Sequence, residues 1–276
     1  MPRVLVFALL SSVSFLTGAP LDKAWDTLDK GLHSGDFERR IQTVIALSAV
    51  DGTNADAVHR LVDVMKNDKD GRVRQQAALA LGEMKAQSAI PDLRAALDDK
   101  GEVAFAAAKA LTNMGDTSGR DTLVAVLAGT RKTNPGMMTN AVREAQHRIK
   151  HPEGMVLMGA DAAAGTFFAP AGMGLTAIEQ TAGLRSKGSP GRAAAAAYLE
   201  KDPEPYAVTL LEWALEDDSK MVRVAAAKAL AKRGNAESLP KLEPLLDDDH
   251  NAVKTMAAAA IVEISARGTS TADRGK

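Results

Sequence analysis

Residues 70–99 read DGRVRQQAALALGEMKAQSAIPDLRAALDD. Val73, Ala77, Ala80, Leu81 and Met84 fall on one helical face, at the spacing that turns a 3.6-residue period into an apolar stripe. After a polar break, Ile90, Leu93 and Leu97 mark a second helix. Pro91 stands in its first turn, where the missing N–H costs nothing. Two such short helices cannot bury both stripes alone, so copies must stack on them. A shift of 149 residues lays KMVRVAAAKALAKRGNAESLPKLEPLLDDD, residues 220–249, over the same template. Val73 then meets Val222, Ala77 meets Ala226, Leu81 meets Leu230, Pro91 meets Pro240 and Leu97 meets Leu246. The expected fold is all-α, a solenoid of short helical repeats whose core is spread along an axis.

Working outward, the step from Val73 to Val103 is 30 residues and that from Val222 to Val253 is 31. The repeats fall into two blocks, residues 36–132 and 189–267. The first opens with Ile41, Val44, Ile45 and Leu47, turns at Asp51–Asn54, and continues with Val58, Leu61, Val62 and Met65. In its third repeat Val103, Ala107, Ala110 and Leu111 lead to Gly115, then to Leu123, Val126 and Leu127. The second block starts near Pro190, turns at Asp202–Pro205, and ends on a half-repeat of Val253, Ala257, Ala260 and Ile261. Residues 20–35, with Leu21, Trp25, Leu28 and Leu32 at helical spacing, read as a helix capping the exposed end of the stack. Residues 1–19 read as an export signal: Arg3, an apolar run from Val4 to Leu16, then Thr17-Gly18-Ala19 as a small-residue cleavage site. Export would place the protein in the periplasm or outside the cell. From Gly268 the chain reads as a polar frayed tail.

The steps are shorter than those of ordinary HEAT units. VRQQAALALG with AIPDLRAAL, FAAAKALTNMG, and VRVAAAKALAKRG with SLPKLEPLLDDD together resemble the short HEAT-like repeats also found in phycobilisome lyase relatives. The whole looks like the secreted HEAT-repeat proteins of soil bacteria such as acidobacteria. The resemblance implies protein binding or scaffolding. Its alternative implication is an enzyme-like or chromophore-handling protein.

Net charge is −1 at pH 7, so no global electrostatic attraction to nucleic acid or an anionic membrane is expected. Beyond the first residues no apolar run is long enough to span a bilayer. Catalytic sets are missing from the sequence: there is no cysteine, no GxSxG elbow and no HExxH. His147 and His151, four apart, lack the further ligands a metal needs. Gly172-Met173-Gly174-Leu175-Thr176-Ala177 fits GxGxxA, but without the strand and the later acid that a dinucleotide fold requires. No catalytic residue, metal or cofactor is therefore expected. A protein or peptide partner is, lying along the inner surface of the curve.

Candidate contacts sit between the blocks, in residues 133–188, a helix followed by an irregular Gly/Ala/Met-rich insertion. Phe167, Phe168 and Met173 would capture a partner or pack on their own stack. Arg143, His147 and Arg148, with Arg131 and Lys132 nearby, would form an anion or acidic-partner patch or simply complement a helix C-terminus. Arg74, Arg223 and Lys254 recur at one place in the template and can meet Asp68, Asp70, Asp99, Asp218 or Asp249 at repeat junctions. Trp25 reads as core, and Tyr198, Tyr206 and Trp213 as core or groove lining or, alternatively, as binding residues.

Overall fold

The computed structural model describes residues 18–99, 101–127 and 189–273. Every regular element in them is helical: α1 (Gly18–Leu32), α2 (Phe37–Leu47), α3 (Ala55–Asn67), α4 (Gly71–Glu83), α5 (Ile90–Ala95), α6 (Gly101–Asn113), α7 (Arg120–Leu127), α8 (Ser189–Leu199), α9 (Tyr206–Ala214), α10 (Lys220–Arg233), α11 (Leu239–Leu242) and α12 (Asn251–Asp273). None of these helices is long and apolar enough to cross a membrane.

Local chemistry sets the boundaries. Asp36, Asn54 and Asp70 accept the N–H of Glu38, Ala57 and Arg72 at 3.0, 3.1 and 2.9 Å, so each side chain satisfies a donor that the helix start leaves open. Gly115 ends the α6 turn at φ +80°, a conformation that costs a residue with a Cβ about 1–2 kcal/mol. Alanine dominates the interior because the helices approach closely. A Cβ on Gly82 would stand 2.7 Å from both Cα and Cβ of Ala110, so α4 and α6 touch backbone to backbone there.

The helices form two rows. In the first row α8, α10, α12, α2, α4 and α6 lie side by side in that order; in the second, α9, α11, α1, α3, α5 and α7 accompany them. The spatial order thus differs from the chain order. The second block comes first, and its unfinished last repeat is completed by the N-terminal helix. α12 is the first helix of that repeat and α1 its second.

Several contacts fasten this composite repeat. Lys23 of α1 pairs with Asp247 at 2.6 Å on one side, and Asp29 with Arg60 of α3 at 2.7 Å on the other. Glu263 of α12 accepts the backbone N–H of Asp51 at 2.8 Å. Arg267 donates to the carbonyls of Ala231 and Lys232 at the end of α10, at 2.6 and 2.9 Å. Ala24, Leu28 and Leu32 of α1 are buried, as is every residue of α12 from Thr255 to Ile264.

Two expectations change here. The helix over residues 20–35 does not cap an exposed end; it lies mid-stack, because α12 presents an apolar face that lacks a partner helix of its own. The chain also stays helical past Gly268 to Asp273, since one helical glycine costs only about 1 kcal/mol and does not end a helix already anchored by Arg267.

Lys228 of α10 and Glu83 of α4, both on the first row, each favour the ionised form of the other.

Candidate interaction surface

Four of the described first-row helices carry an arginine near their start that holds a repeat junction. Arg40 pairs with Asp68 at 2.7 Å, Arg74 with Asp99 at 3.3 Å, Arg192 with Asp217 at 2.8 Å and Arg223 with Asp248 at 2.8 Å. Arg40, Arg74 and Arg223 also donate to a carbonyl six residues back, on Ser34, Asp68 and Asp217. In the second block the acids are Asp217 and Asp248, where the sequence pointed to Asp218 and Asp249. The reason is local: each turns its carboxylate inward by accepting the N–H two residues on, from Ser219 and His250. The Arg192 guanidinium holds the Asp217 carboxyl below the usual range. Burial raises that of Asp248, and Arg223 with the His250 N–H more than offsets it. Lys254 is the equivalent in α12, and Ser34 stands at the register position where the other repeats place an aspartate. This ladder is structural.

On the first row, burial raises the carboxyl of Glu83, although Lys228, Ser48 and Lys109 act to lower it. Burial also lowers the ammonium of Lys228 against the pull of Glu200 and Glu83. Among the described residues no cluster of His, Asp and Glu could hold a metal.

The second row differs. Its buried register is Ala24, Leu28, Leu32 in α1; Ala57, Leu61, Met65 in α3; and Ala207, Leu211, Leu215 in α9. Ser238, Leu242 and Leu246 continue it in the α11 repeat. The residues one before the first, one before the second and two before the third share a face turned to solvent. They are Lys23, Thr27 and Lys30 in α1, and Asp56, Arg60 and Asp63 in α3. Before and within α11 they are Glu237, Lys241 and Pro244. In α9 they are Tyr206, Leu210 and Trp213, exposed by 57%, 37% and 71%. An apolar stripe therefore stands where α1 and α3 carry only polar or charged side chains and the α11 repeat carries two charged ones and a proline.

Tyr198 of α8 is equally informative. Its counterparts, six residues after the ladder position, are Ala46, Ala80, Ala110, Ala229 and Ala260, all buried against the preceding first helix. A tyrosine there, 73% exposed, cannot admit so close a neighbour, so α8 stands at the end of the row among the described residues. The core reading of Tyr198, Tyr206 and Trp213 is thus overturned: all three are exposed, two on the second row and one on α8. Trp25 by contrast packs on the core, under the Arg60 guanidinium at 4.2 Å. Composition alone cannot separate the two tryptophans; laying the second helices in register on their buried leucines does. Arg143, His147, Arg148, Phe167, Phe168, Met173 and the GxGxxA stretch lie outside the described residues.

Comparison with protein families matches HEAT repeats over residues 25–104 and 181–262. No curated protein matches the chain. Among solved structures, the complex of CpcE and CpcF of phycocyanin lyase from Nostoc sp. PCC7120 is similar at 21% identity and a TM-score of 0.33, over 95% of this chain and 100% of that one. Human deoxyhypusine hydroxylase is similar at 16% identity and 0.33, over 90% and 98%. A designed armadillo repeat protein is similar at 19% identity and 0.25, over 87% and 98%.

Proposed function

The chain belongs to the HEAT-repeat family, and from that premise we propose that it is a non-catalytic scaffold of the cell envelope that binds a protein or peptide through the outer face of α9. One observation carries the reading: Tyr206, Leu210 and Trp213 share one exposed face at positions that are all polar or charged in α1 and α3. Exposed contiguous apolar surface marks interaction sites, and tyrosine and tryptophan supply most interface hot spots. Nothing in the repeat needs these side chains, because Ala207, Leu211 and Leu215 already bury the opposite face. The envelope location rests on the export signal read in residues 1–19.

A crosslinking pull-down from the native envelope tests this. Tyr206→Ala with Trp213→Ala should lose a captured protein that the parent chain retains, with an unchanged circular dichroism melt. Retention of the same protein by the double variant removes the proposal.

A further inference from the structure

The α9 stripe is bordered by acid at both ends. Asp202 and Glu204 precede Tyr206, and Glu216, Asp217 and Asp218 follow Trp213. Glu204, Glu216 and Asp218 are exposed, while Asp217 is held by Arg192. The C-terminal end of α9 adds the negative pole of its helix dipole beside Trp213. From residue 200 to residue 218 there are seven carboxylates (Glu200, Asp202, Glu204, Glu212, Glu216, Asp217 and Asp218) against one cation in that span, Lys201. Arg233 approaches from α10, where it donates to the carbonyl of Glu204 at 3.2 Å.

Elsewhere the protein shows how it satisfies an aromatic face. Arg60 lies over Trp25 at 4.2 Å and Arg72 over Phe37 at 4.0 Å. Both guanidiniums come from the next repeat. Trp213, at a different register and 71% exposed, has no such cover among the described residues. Tryptophan is the best aromatic acceptor for a cation, and a cation there would also meet Glu216 and the helix end.

Building on the scaffold reading above, we infer that the partner offers α9 a basic amphipathic helix: apolar side chains against Tyr206, Leu210 and Trp213, with arginine or lysine reaching the flanking carboxylates and the indole face. The occupant is thus a cationic protein segment. A helix laid on a helical stripe reads it through i, i+3, i+4 and i+7 anchors, which matches the spacing from Tyr206 to Trp213.

The full chain is titrated with a fluorescein-labelled helical peptide of leucine, arginine and lysine, its leucines at those intervals, and with the same peptide carrying glutamate at every basic position. Anisotropy should report binding of the basic peptide only. Tyr206→Ala with Trp213→Ala should weaken it at least about tenfold, the scale of hot-spot truncation. Glu204→Gln with Glu216→Gln, which leaves the apolar stripe intact, should weaken it a few-fold and flatten its salt dependence. Equal binding of the acidic peptide overturns the inference, as does indifference to the Tyr206 and Trp213 changes. If Arg143→Glu with Arg148→Glu tightens the peptide, this chain's own basic segment is the occupant and the external partner is ruled out. A native protein crosslinked through Trp213 whose contacting segment is acidic sinks this inference and leaves the scaffold reading standing.

Discussion

Two helices of the second row, α1 and α9, share a buried register and present opposite surfaces. Ala24, Leu28 and Leu32 go inward as Ala207, Leu211 and Leu215 do, but outward α1 shows Lys23, Thr27 and Lys30 where α9 shows Tyr206, Leu210 and Trp213. α1 also holds the molecule together. It completes α12, receives Asp247 through Lys23 and binds Arg60 through Asp29. In this fold the inward register carries stability, and the outward register is free to differ from one repeat to the next. Function is therefore to be sought where the outward register departs from its siblings.

Removing α1 is the severest way to break the comparison. Without residues 1–33, α12 loses its partner helix, and the two blocks lose most of what joins them. A chain that begins at Ser34 should show no single cooperative unfolding transition. Within the full chain, Leu28→Ala should cost about 2–5 kcal/mol in urea denaturation, the range for a fully buried leucine.

The junction ladder sharpens the contrast between the middle and the end of the stack. Arg40 and Asp68 are almost wholly enclosed, with side chains 4% and 7% exposed. Arg40→Ala leaves a buried carboxylate unpaired and should destabilise by about 3–5 kcal/mol. The same pair at the α8 end, Arg192 with Asp217, is open to water at the arginine. Arg192→Ala should change the denaturation midpoint far less. Similar losses at both sites would refute the idea that burial ranks these junctions.

How much of this could be read from the chain follows from the same two registers. Periodicity marks the inward register of each repeat, since an apolar residue every third or fourth position needs a neighbour, and the stacked helical fold follows. It carries no label for which neighbour. Val253, Ala257 and Ile261 announce a helix lacking a partner, and Leu21, Leu28 and Leu32 announce another, with 221 residues from Leu32 to Val253. Their union in one repeat is a long-range fact that local spacing does not encode. The aromatic stripe is visible in the chain as residues, but the face it stands on is not. A large apolar side chain is buried on average, and only alignment on Leu211 shows that Trp213 cannot face the core. Tyr198 is the converse case: a tyrosine where five other repeats have a buried alanine marks the end of the row among the described residues.

Acid should separate the junction aspartates from Glu83. The carboxyls of Asp217 and Asp248 lie below the ordinary range, and that of Asp116, bonded to Ser118 and Arg94, sits at about 2. A lowered folded value means stability that is present above the ordinary carboxylate range and lost as pH falls through the folded value. Glu83 works the other way. Its raised value favours folding below the ordinary carboxylate range, and that contribution is lost as pH rises through the folded value. The melting temperature should therefore fall as pH drops from about 4, the ordinary aspartate value, toward 2. Glu83→Gln should leave that acid limb unchanged and lift stability near neutral pH. An acid limb that vanishes with Glu83→Gln would assign the effect to the wrong row.

The smallest effect is the most telling one. Trp213→Ala removes the largest side chain of α9, and by size alone it should be among the worst substitutions in the molecule. The indole is 71% exposed, and Leu211 and Leu215 hold the helix from the other side. Changes on the solvent face that touch no cap, cavity or network fall within about 0.5 kcal/mol of the parent. Trp213→Ala should therefore melt with the parent chain, whereas Leu28→Ala, which deletes fewer atoms, should not. A tryptophan that costs as much as Leu28 when truncated would be a core residue, and the outward face of α9 would then be packing surface with no partner to seek.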